Sequence, residues 1–150
     1  MSGVDRETTV ILRTVARVVV PIILVTAVAL LLQGHNRPGG GFIGGVLTVT
    51  AFALMYVVFG VDSLGDVVGT DDGATDYYRW LFAGGLALAL GAGIVPALLG
   101  GAFLQQGVLF VEHLPLYGEL EVASALAFDL GVYGVVVGAL LTVVAEVGAE

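Results

Sequence analysis

Cysteine is absent from these 150 residues, and so is lysine. Without cysteine the chain has no disulfide, no thiolate metal site and no thiol redox chemistry of its own. Without lysine its basic complement is Arg6, Arg13, Arg17, Arg37 and Arg79, five arginines against 13 acidic residues. The net charge of -8 and the pI near 4.4 argue against nucleic acid or anionic headgroups as general partners. Charge of either sign is scarce at 12%, while 58% of residues are hydrophobic and the mean hydropathy is +1.03. That leaves too little polar surface to coat a soluble domain of this size. The short alternating segments of a transmembrane β-barrel are missing too. The composition implies an all-α integral membrane protein with four transmembrane helices in one small bundle, a single membrane domain over residues 1–150.

Phe42 to Val61 is a run of 20 residues without charge, about 30 Å as a helix and so long enough to cross a bilayer's hydrocarbon core. The first uncharged run, Val18 to Leu32, is only 15 residues. Helix 1 is therefore extended to about 10–33, with Thr8 or Thr9 as N-cap and with Arg13 and Arg17, on one face, reaching the interface. Pro21 lies early in its embedded part, where neighbouring helices can offset the lost hydrogen bond. Helix 2 is expected over about 42–61, followed by a solvated acidic loop at 62–78 holding Asp62, Asp66, Asp71, Asp72 and Asp76. Helix 3, over about 79–99, opens on Arg79 and Trp80, an anchor pair typical of membrane interfaces. Trp80 to Val111 is uncharged for 32 residues, about 48 Å and too long for one span, so a break is placed at Pro96, Gly100 and Gly101. An interfacial connection at 100–120 then leads to helix 4, over about 121–144.

Arg6, Arg13, Arg17 and Arg79 fall on one side of these spans and only Arg37 on the other, which predicts cytoplasmic N- and C-termini. The N-terminus mixes Asp5 and Glu7 with arginines and lacks a cleavage pattern, so it does not read as a signal peptide. Small residues recur at spacings of four, Gly40 with Gly44, Gly41 with Gly45 and Gly134 with Gly138, as close helix packing requires.

Asp129 is the one ionisable residue expected deep in a span, about eight residues or 12 Å from the start of helix 4. A mid-membrane aspartate costs roughly 2.5 to 3.5 kcal/mol and so faces a partner, a water-filled cavity or an ion path. Two readings stand: an ion-path carboxylate, with Tyr133 one turn later as a hydrogen-bond donor, or a group that merely locks helix 4 to a neighbour. One acid cannot relay a proton across some 30 Å of hydrocarbon, so other chains must supply the rest of any path.

Gly39, Gly41 and Gly44 match the dinucleotide-binding glycine pattern, but between two spans, where no strand precedes them, the match is accidental. The glycines after Pro38 supply a side-chain-free turn that lets backbone approach another helix. His35 and Arg37 are either anion-binding or carboxylate-pairing groups, or solvated loop residues. The acidic loop either concentrates cations or is simply solvated. Glu112 and His113 lack a third ligand, and Ser124 lacks a nucleophile elbow and a base, so neither a metal site, an organic cofactor nor a catalytic residue is expected.

The strings GHNRPGGGFIGGVLTVTAFALMY, Gly34 to Tyr56, and AFDLGVYGVVVGALLTVV, Ala127 to Val144, resemble the MnhB (MrpB) family of the multisubunit Mrp-type Na+/H+ antiporters. The resemblance covers most of the chain from helix 1 to helix 4. It implies a small accessory subunit, without enzymatic activity, in a hetero-oligomeric complex that exchanges Na+ for H+, with other membrane subunits as partners and the lipid bilayer around it. An equivalent subunit of a hydrogenase-type or other redox-driven ion pump is the alternative, and a purely structural assembly protein a second. His35, Pro38, Gly39, Gly40, Gly41, Phe42, Gly44 and Gly45 match in the loop motif, and Phe128, Asp129, Gly131, Val132 and Tyr133 in the last helix. The long acidic loop and the lack of lysine depart from the family pattern.

Overall fold

Among the described residues four long helices carry the fold, and each is apolar enough to cross a membrane. In the computed structural model the described residues are 3–33, 39–59, 72–98, 108–111 and 120–148. Helix α1 is Gly3–Gln33, α2 is Gly41–Phe59, α3 is Asp72–Leu98 and α4 is Ser124–Gly148. Their spanning portions, Thr9–Gln33, Gly41–Phe59, Asp76–Val95 and Ala125–Val147, have 25, 19, 20 and 23 residues, lengths of about 28 to 38 Å that match a hydrocarbon core.

Several expected boundaries move. Helix α1 starts at Gly3, so Thr8 and Thr9 lie inside it and cannot cap it; no proline interrupts residues 3–9, and Asp5 and Glu7 suit the positive end of a helix dipole. Helix α3 starts at Asp72, which moves Asp72 and Asp76 from the acidic loop into the helix. Pro96 stands two residues from the helix end, too late to break it. The connection before α4 holds a short antiparallel ladder, β1 (Val108–Val111) with β2 (Leu120–Ala123), in which Val108 faces Ala123 and Val111 faces Leu120. Four-residue runs rich in Val and Leu satisfy strand preference, and pairing gives their amides partners. As a result the last helix begins at Ser124 and not at 121.

In hydrocarbon every hydroxyl needs a partner, and the threonines find one locally. Thr14, Thr26, Thr48, Thr50 and Thr142 each donate to the carbonyl four residues back at 2.8–2.9 Å.

The helices pack in the order α1, α2, α4, α3, with α4 in the widest contact with α3. Ala16, Val20, Ala27 and Leu31 form the buried stripe of α1. Val49 from α2, Tyr78 from α3 and Val137 and Leu141 from α4 make the central cluster, with Phe52, Leu81 and Tyr133 against it. At its glycines the α3–α4 seam brings backbone against backbone. A β-carbon at Gly131 would come 2.5 Å from the Ala89 amide nitrogen, and one at Gly138 would come 2.6 Å from that of Phe82. Gly84 and Gly91, by contrast, have open space around them. Gly84→Ala should therefore leave thermal stability unchanged or raise it by up to about 1 kcal/mol through helix propensity; a measured loss of stability would show a neighbour at that face.

Only 22–28% of the most apolar stretch of each span is buried within the chain. The remaining surface, including Ile11, Val15, Val18 and Ile22 of α1 and Trp80, Leu86 and Leu90 of α3, faces outward. Exposure of this kind is stable only against lipid or other subunits. At the start of α3, Tyr77 and Trp80 are exposed and Arg79 lies 3.9 Å from Asp76, a solvent-facing pair that contributes little to stability.

Candidate functional site

Gly40 turns the chain into α2 with φ +103°, a conformation costly for any residue with a β-carbon. Its amide donates to the Leu30 carbonyl of α1 at 2.9 Å, and its carbonyl accepts the first helical bond of α2, from the Gly44 amide at 3.0 Å. The amides of Gly41, Phe42 and Ile43 thus have no acceptor inside α2. This is the positive end of the helix dipole, and it favours negative charge nearby.

Asp129 supplies that charge. It lies five residues after Ser124, about 7.5 Å along α4, so it is near the membrane edge and shallower than the eight residues expected. Its side chain is half-buried. A β-carbon on Gly40 would stand 3.5 Å from each carboxylate oxygen, so the acid lies directly against the α2 entrance. Next to it, a β-carbon on Gly41 would overlap the Asp129 carbonyl oxygen and come 2.9 Å from the Tyr133 amide. The α2 backbone therefore rests on the α4 backbone itself.

One turn deeper the contact becomes polar. The Tyr133 hydroxyl lies 3.0 Å from Thr48 Oγ1, and Thr48 in turn donates to the Gly44 carbonyl at 2.9 Å. Thr48 has one hydrogen and gives it to Gly44, so Tyr133 donates to Thr48. Tyr133 is thus engaged across the seam to α2 and not with Asp129. Tyr133→Phe should cost about 1 kcal/mol of α2–α4 association, read as a lowered melting temperature of the purified protein, since Thr48 in a low-dielectric seam loses its partner.

The glycines of the loop motif divide between two neighbours. Gly44 faces Ala27 and Leu31 of α1, while Gly41 and Gly45 face Asp129, Tyr133 and Val136 of α4. Gly39 is half-buried beside them, and Phe42 points outward, 62% exposed. His35, Arg37 and Pro38 lie outside the described residues, as do Glu112 and His113. Among the described residues no three His, Cys, Asp or Glu side chains converge as a metal site would need.

Thr48 was not anticipated from the sequence. Its signal was its place on the face of Gly41, Gly44 and Gly45, seven, four and three residues away, where a lone hydroxyl among glycines marks a close helix contact. The Leu30 carbonyl and Ala89 of α3 carried no such signal.

The family model for a "domain related to MnhB subunit of Na+/H+ antiporter" matches residues 11–142. The chain is 39% identical over 141 residues to the B-type subunit of the Na(+)/H(+) antiporter of Alkalihalophilus pseudofirmus, covering 94% of this chain and 93% of the relative. It is 34% identical over 140 residues to the B-type subunit of the Bacillus subtilis Na(+)/H(+) antiporter, covering 93% of each. Among solved structures, the Mrp complex from a Dietzia species contains a similar fold, with TM-score 0.72 and 26% identity over 98% of this chain. The present chain spans 15% of that much longer chain.

Proposed function

Since this chain belongs to the family of domains related to the MnhB subunit of Na+/H+ antiporters, we propose that Asp129 borders a cation route of the assembled antiporter, at the entrance formed by α2 and α4. The chain is an accessory, multi-pass membrane subunit of a multisubunit cation/proton antiporter, built to work among other membrane subunits. It makes and breaks no covalent bonds. Both termini lie on the cytoplasmic side of the plasma membrane, so the glycine-rich loop and Asp129 face outward.

The observation that carries the ion-route reading is the carboxylate of Asp129 set against Gly40 at the α2 amino terminus. Gly40 and Gly41 place no side chain between the α2 backbone and Asp129. A carboxylate so placed can hold a cation at this point of the route. From about 7.5 Å inside the edge, some 20 Å of hydrocarbon remains to be crossed, and among the described residues nothing in α2 or α3 continues the path with an ionisable group at that depth. Partner subunits complete it.

A purely structural role for the carboxylate is the second reading, favoured by the close backbone packing of Gly41 on Asp129. Substituting Asp129→Asn within the complete complex, and measuring both assembly and Na+-driven proton movement in membrane vesicles, separates the two.

A further inference from the structure

Arg13 and Arg17 are both exposed on α1, one turn apart on the same face. Arg79 is paired with Asp76, whereas neither Arg13 nor Arg17 has a partner among the described residues. Their depth follows from α2. The Gly40–Leu30 hydrogen bond levels the start of α2 with residue 30 of α1. The two helices run antiparallel, so the 19 residues of α2, about 28 Å, end level with about residue 12 of α1. Arg13 therefore lies about level with the end of α2 and Arg17 about 6 Å further along.

Helical side chains lean toward the amino terminus, so the Arg17 guanidinium reaches back to the level of Arg13. Past Arg17, exposed Pro21 and Val28 and half-buried Leu24 continue as an apolar strip along the span. We propose that this face binds an anionic phospholipid: Arg13 and Arg17 hold the phosphate, and an acyl chain lies along Pro21, Leu24 and Val28. Two adjacent forked guanidiniums at headgroup depth match a phosphodiester. The acidic character of the whole chain does not oppose this, because beyond about 8 to 10 Å charges in water are screened at cellular salt and the local pair dominates. The proposal is independent of any role for Asp129.

The test uses the purified, delipidated complex. Arginine labelling by phenylglyoxal is mapped after adding vesicles of dioleoyl-phosphatidylglycerol or of dioleoyl-phosphatidylcholine. Protection of Arg13 and Arg17 by the phosphatidylglycerol vesicles alone is the expected result. Equal labelling with both lipids overturns the proposal, and so does resistance to labelling before lipid is added, which would place another subunit over the pair. In parallel, the complex bearing Arg13→Gln with Arg17→Gln should retain about thirtyfold less phosphatidylglycerol than wild type through delipidation, from the combined effect of two arginines at an anionic surface. Unchanged retention overturns the proposal. If the double variant does not assemble, Arg17→Gln alone gives the same comparison, with a smaller loss expected.

Discussion

Replacing Gly41 by alanine is expected to remove the subunit from the assembled complex. The added carbon would overlap the Asp129 carbonyl oxygen and come 2.8 Å from its carbonyl carbon and 2.9 Å from the Tyr133 amide. These are backbone atoms inside a helix, so no rotamer change relieves the contact. Helix α2 must move away from α4 as a body, and the Thr48–Tyr133 bond and the contact of Gly45 with Val136 go with it. Overpacking costs about 1–3 kcal/mol and occasionally more; rigid neighbours put this site at the upper end or beyond. The gain of about 1 kcal/mol in helix propensity does not offset that loss. Native gels of solubilised membranes, with Gly84→Ala as a control for alanine in an open position, give the comparison. Wild-type amounts of complex with an unchanged melting temperature would mean that α2 and α4 are not in backbone contact.

Asp129→Asn is expected to behave in the opposite way, assembling normally but failing in transport. The amide has nearly the volume of the carboxylate and still offers an acceptor toward the α2 entrance, so packing against Gly40 is kept. What disappears is the charge. At about 4 Å, two unit charges in a partly solvated protein site attract by roughly 4 kcal/mol. Even a third of that changes cation occupancy about tenfold. Antiport in everted vesicles should thus need at least about tenfold more Na+ for half-maximal activity, or vanish, while the amount of complex stays the same. Full antiport with normal assembly would remove Asp129 from the ion route and leave it the role of holding α4 against α2.

The contrast between these substitutions shows how one contact combines scaffold and chemistry. The glycines make a place where backbone meets backbone, and that same close approach sets the Asp129 carboxylate against the amino terminus of α2. Tyr133 and Thr48 then tie the same two helices one turn further in, with a bond that needs no charge.

Much of this was legible in the chain itself. Long uncharged runs forced four spans, because in hydrocarbon a backbone must satisfy its own hydrogen bonds within a helix. Glycines at spacings of four announced close helix contacts, and Asp129 stood out as a charge with a desolvation cost to explain. The helix ends were less legible. Gly3–Thr9 and Asp72–Tyr78 are polar enough to read as loop, yet they extend α1 and α3 beyond the apolar runs, since a helix outside the membrane needs neither apolarity nor a stop at the interface. The strand pair at 108–111 and 120–123 could not be read from either run alone, because each is too short to distinguish strand from buried helix and the pairing depends on its partner.

Hydropathy and spacing, then, determined by themselves that this is a membrane protein of four helices with one acid to account for, because the cost of polar groups in lipid acts residue by residue. Which helices touch, that α2 lies between α1 and α4, that Gly40 faces Asp129 and that Tyr133 bonds Thr48 were decided only by the tertiary structure. Those are contacts between residues as many as 85 or more positions apart, and their geometry depends on how closely two backbones approach, which no single segment specifies.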